Sequence, residues 1–169
     1  MTITHRNLSP YLIILISLLG SCADDSFDEI LFIKYQNKIE KESLKGFFSE
    51  TTSDAAYRLY QYYDKDTNLI YRLELNFISD TTIVFNGEKI YKLSEKQFTI
   101  DNQIISVNKY YYDIANQYDE EAYVYVNLLI GLIGINYFPW DLSIFPQGED
   151  IPKELNNLLF DSENKSFYE

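Results

Sequence analysis

Leu69-Ile70-Tyr71-Arg72-Leu73-Glu74-Leu75-Asn76-Phe77 places Leu69, Tyr71, Leu73, Leu75 and Phe77 on one side of the chain. Ile70, Arg72, Glu74 and Asn76 fall on the other, the period of two that marks a strand with one buried face. Just upstream, residues 55–63 form a second such run, and Asp64-Lys65-Asp66-Thr67-Asn68 between them is rich in turn formers. Tyr57, Leu59 and Tyr63 form its matching row, interrupted by Gln61. The pair predicts a β-hairpin. Downstream, Asn86-Gly87 separates strands at 81–86 and 88–93, and Asp101-Asn102 separates 98–100 from 104–107. Strands at 110–114 and 122–129 flank a polar loop. Turn signals at this spacing predict a mainly β, β-rich α+β domain: an antiparallel meander forming a barrel or sandwich over residues 27–169.

Three flanking segments read differently. Residues 26–46 show capping-box spacing at Ser26 and Glu29, apolar residues every four positions (Phe27, Leu31, Tyr35, Ile39) and a stop at Gly46. They are expected to form an N-terminal helix, although the apolar run from Ile30 to Ile33 has strand character. Residues 128–138 are the most apolar of the domain and read as a buried central strand, with Pro139, Pro146 and Gly148 breaking regular structure after it. Residues 152–160 predict a short C-terminal helix with Ile151, Leu155, Leu158 and Leu159 on one face, followed from Asp161 by a polar, loose tail.

The amino terminus reads as a targeting segment. Arg6 precedes the apolar run from Tyr11 to Leu19, which is too short to cross a bilayer as a permanent helix, and small residues follow. Leu19-Gly20-Ser21-Cys22 resembles the lipobox of bacterial lipoproteins. That resemblance implies cleavage between Ser21 and Cys22, removal of residues 1–21, diacylglycerol on the Cys22 thiol, and residues 22–26 as the acylated tether. Acidic residues directly after the cysteine (Asp24, Asp25) resemble the surface-export signals of Bacteroidota lipoproteins. The implied location is the cell envelope, lipid-anchored at the outer membrane.

Composition narrows the chemistry. The formal charge is −12, and −13 once Arg6 is removed, which disfavours nucleic acid and leaves membrane attachment to the lipid. His5 is the only histidine and Cys22 the only cysteine, so the domain from 27 onward offers no Ser-His-Asp or Cys-His site and no zinc site built on those ligands. No glycine-rich phosphate loop is present. Asp64, Asp66 and Asn68 begin like a calcium loop, but Leu69 stands where the bend needs glycine and Leu75 where the bidentate glutamate belongs. No metal or cofactor is expected, and no enzyme. The sixteen tyrosines suit strands and, secondarily, a binding face. The reading is a non-enzymatic domain that binds a small ligand or a protein partner. If the meander closes into a lipocalin-like barrel, Leu69, Tyr71, Leu73, Leu75 and Phe77 are the candidate ligand-lining residues. The alternative is an accessory or protective protein of an envelope assembly, whose acidic face meets a basic partner.

Overall fold

The computed structural model describes residues 27–54, 56–78, 81–114 and 121–168. Ten strands follow in order: β1 (Asp28–Gln36), β2 (Ile39–Asp54), β3 (Tyr57–Asp64), β4 (Leu69–Asn76), β5 (Thr82–Phe85), β6 (Glu88–Ile100), β7 (Gln103–Tyr112), β8 (Ala122–Asn127), β9 (Gly131–Tyr137) and β10 (Leu142–Gln147). Each pairs antiparallel with its chain neighbour, and β1 closes the ring on β10. The expected meander is therefore a closed barrel, which leaves no open sheet edge. Three corners are two-residue turns with positive φ at both positions: Asn37-Lys38, Asn86-Gly87 and Asp101-Asn102. That backbone matches the twist of the strands they join.

The predicted hairpin is β3–β4, and its turn is built on one carboxylate. Asp64 Oδ1 accepts the N–H of Asp66 and of Asn68, each at 2.9 Å, and Oδ2 accepts the Asn68 side-chain amide at 2.9 Å. Asp64, the first of the three residues that suggested a calcium loop, thus spends both oxygens on the turn itself, and the Asp66 carboxylate meets Lys65. These bonds, the Asn68 amide first, hold the Asp64 carboxyl below its ordinary range. A depressed native value means the turn's contribution is present above the unfolded value and lost as pH falls through the native one. Asn68→Ala is expected to raise the Asp64 titration midpoint in a carboxyl-carbon NMR titration and to lessen that acid-side loss.

The inward row of β3 is not Tyr57, Leu59 and Tyr63. Tyr60 and Tyr62 are fully buried, because they pair with Leu73 and Tyr71 across the ladder and cross-strand partners share a face. With Phe32, Phe85, Tyr110 and Tyr112 they form a core with Leu73, Leu75, Val124 and Ile135. A ten-stranded barrel is wider than an eight-stranded one, whose interior aliphatic side chains can fill, and here large rings occupy the extra width. Outside, Lys34 pairs with Glu42, Lys45 with Glu29 and Arg72 with Glu74.

Four further expectations need correction. The N-terminal helix over 26–46 is, from Asp28 on, the β1–β2 hairpin. Phe27, Leu31 and Ile39, the supposed buried face, are exposed, while Ile30 and Phe32 enter the core. Barrel closure, which bonds β1 on both sides, outweighs a four-residue period. In the apolar run, residues 128–130 form a turn whose Leu129 and Ile130 N–H groups donate to Asn127 Oδ1 at 2.8 and 2.9 Å, and the buried strand begins only at Gly131. Pro146 does not end regular structure: it lies in β10, next to the strand's last residue, opposite Phe32. The tail is not loose. The C-terminal helix α1 (Lys153–Phe160) forms as expected, but a 3-10 turn (Ser162–Asn164) and α2 (Lys165–Tyr168) follow it. Leu155, Leu159, Phe167 and Tyr168 pack with Phe98, Val107, Tyr125, Ile133 and Phe145 on the barrel's outer wall.

Candidate functional site

The barrel has one end where rings and chain turns meet. Tyr60 and Tyr62 reach from β3 across the lumen to the β8–β9 turn. The Tyr60 hydroxyl donates to the Leu129 carbonyl at 3.0 Å, and the Tyr62 hydroxyl accepts the Leu132 N–H at 2.9 Å. Arg58 adds a bond to the same Leu129 carbonyl at 3.1 Å, a bond to the Tyr60 hydroxyl at 3.2 Å and an ion pair with Glu50 at 3.3 Å. Burial pushes the Tyr62 phenol well up, so it stays protonated and neutral. These residues close the lumen.

Outside this closure lies a mouth in two connected parts of about 300 and 390 Å³, with Phe48, Ile130 and Asp150 lining both. Its floor is Ile30, Phe48, Tyr62 and Ile130, with the Phe48 and Tyr62 rings stacked at 5.8 Å. Its rim is acidic: Asp28 and Glu29 from the start of β1, Glu50 from β2, Glu149 and Asp150 from the link between β10 and α1. Lys45 answers Glu29 at 2.9 Å and Arg58 answers Glu50. Asp28, Glu149 and Asp150 make no ion pair with another described residue. Comparison with family models, with curated proteins and with solved structures finds no match for this chain. What the mouth can do therefore rests on its own chemistry. An apolar floor beneath carboxylates that no described residue pairs suits a ligand that carries both an apolar group and a positive charge.

The candidate ligand-lining row does not meet at this mouth. Leu73 and Leu75 are fully buried in the core, and Tyr71 packs beside them between Phe32 and Phe85 with its hydroxyl bonded to Tyr137. Leu69 is 48 % exposed, because the ladder slips between Tyr62 and Tyr63 and turns the start of β4 outward. Phe77 lies past the end of β4, its ring 5.1 Å from the Arg58 guanidinium. Ser21 and Cys22 lie outside the described residues. The mouth residues carried no motif. Their one signal was the acidic pair Glu149-Asp150 set between Gly148 and an apolar Ile151.

Proposed function

We propose that this chain is a non-enzymatic binding protein of the cell envelope, lipid-anchored at the outer membrane through Cys22, and that the barrel mouth receives a positively charged, apolar-bearing segment of a protein partner. The observation that carries the partner's chemistry is the set of carboxylates with no ion-pair partner among the described residues, Asp28, Glu149 and Asp150, above the floor of Ile30, Phe48, Tyr62 and Ile130. The anchor is supported by Leu19-Gly20-Ser21-Cys22 after an apolar run. The six residues from Cys22 to Phe27 span at most about 22 Å before Asp28. The tether would thus hold the mouth near the bilayer, where segments of other envelope proteins pass. The net charge of −12 favours encounter with a basic partner and disfavours nucleic acid.

Two measurements test the two halves. Cys22→Ala is expected to abolish incorporation of labelled palmitate and to release the protein from membranes or block its processing; labelling that persists removes the anchor. For the mouth, a Lys/Leu amphipathic peptide is titrated into the domain beside a Glu/Leu peptide of the same pattern. The basic peptide should bind, weaken with salt, and lose about tenfold in affinity to Asp28→Asn/Glu149→Gln/Asp150→Asn. Equal binding of both peptides, or indifference to the triple change, rules this partner chemistry out.

A further inference from the structure

At the other end of the barrel, between the β1–β2 turn and the β9–β10 link, a slot of about 330 Å³ opens on the outer wall. Its floor differs from the wall it continues. Under α1 the outer faces of β9 and β10 present Ile133 and Phe145, but toward the slot they present Asn136 and Ser143, cross-strand partners only 5 % and 4 % exposed. Tyr168 forms one side, its hydroxyl in contact with Ser143 Oγ. Tyr123 and Phe138 form the other, with centroids 5.0 Å apart. Lys38 Nζ lies 5.5 Å from the Tyr168 ring centre, and Lys109 Nζ lies 3.6 Å from that of Tyr123.

This lining discriminates among ligand classes. Tyr168 and Tyr123 each already face an ammonium group, and Lys38 and Lys109 outnumber Asp141, the one carboxylate of the lining, so a further cation is disfavoured. The floor groups already bond one another, Ser143 Oγ donating to Asn136 Oδ1 at 3.4 Å and meeting the Tyr168 hydroxyl, so a purely apolar ligand would bury their remaining donor and acceptor capacity unmatched, which costs free energy. A ring with apolar C–H faces and a hydroxyl edge meets both demands. Its faces lie against the aromatic walls, and its hydroxyls exchange hydrogen bonds with Asn136 and Ser143. The volume stands at the lower end of small-molecule sites. We propose that the slot is a saccharide site sized for a mono- or disaccharide, separate from the peptide mouth.

Saturation-transfer NMR makes the test direct, because it reads the bound ligand itself. Trp140, the only tryptophan, stacks on Tyr137 at 5.8 Å two residues from Phe138 and serves as a nearby second probe. The full chain is titrated with methyl glycosides of glucose, galactose, mannose and N-acetylglucosamine, and with cellobiose and lactose, following Trp140 emission and saturation-transfer NMR. At least one probe is expected to give a saturable response. Phe138→Ala, at a residue 39 % exposed and so safe for folding, should weaken that response at least about tenfold. The triple change at the mouth should leave it unaltered. No saturable response from any probe overturns the proposal. So does binding that ignores Phe138→Ala, or binding that the mouth change abolishes.

Discussion

Removing residues 162–169 is expected to destabilise the domain by about 3–6 kcal/mol, from the loss of two buried aromatic side chains at roughly 1.5–3 kcal/mol each. Phe167 and Tyr168 are 7 % and 3 % exposed. Tyr168 stacks on Tyr125 at 5.7 Å and meets Phe160 edge-on at 5.0 Å, and Phe167 packs on Phe98 and Tyr125. Its backbone is held as well: the Tyr125 hydroxyl donates to the Tyr168 carbonyl at 2.5 Å. Against a typical domain stability of about 5–15 kcal/mol, such a loss is visible in any unfolding curve. Urea titrations of the chain ending at Asp161 and of the whole chain should separate clearly in midpoint. Coincident midpoints would mean that the tail adds nothing to the barrel.

That tail is a measure of what the sequence conceals. Phe167 and Tyr168 stand alone in a polar stretch, and nothing local says that a wall of Phe98, Tyr125 and Phe145 awaits them. The turns were legible for the opposite reason. Asn86-Gly87 and Asp101-Asn102 carry residues that tolerate positive φ, and the requirement is local. Alternation in β4 was legible because Arg72 and Glu74 oppose Leu73 and Leu75. In β3 it was not, since tyrosine occupies both faces at 57, 60, 62 and 63 and an amphipathic ring does not declare its side. Strand β10 was hidden by Pro146, a residue that excludes a strand interior but is tolerated near a strand's end. The mouth was the least legible feature. It joins residues 28–30, 48, 50, 62, 103–105, 127, 129–130 and 148–152, and only barrel closure makes them neighbours. Five rim acids among twenty-six carry no spacing by which to single them out.

Gly131→Val should cost about 2–5 kcal/mol, the sum of two separable effects. Gly131 opens β9 with φ +98°, a backbone that a β-branched residue adopts only at a cost of about 1–2 kcal/mol. A Cβ there would also lie 2.8 Å from the Tyr62 hydroxyl and 3.0 Å from the Tyr60 ring. Both tyrosines must then move within a filled core, at roughly 1–3 kcal/mol. Gly87 isolates the first effect: its φ is +88°, yet a Cβ built on it meets nothing within 4 Å. Gly87→Val should therefore carry only the backbone cost, about 1–2 kcal/mol. If urea unfolding gives the two variants the same loss, then Tyr60 and Tyr62 yield freely and the closure of the lumen is soft. If Gly131→Val loses more, the excess measures how rigidly the two rings are held against the β8–β9 turn. That rigidity bears on the mouth, because the Tyr62 ring bonded to Leu132 N–H on one side is part of the floor on the other. A side chain at position 131 should then weaken basic-peptide binding while every rim carboxylate stays in place.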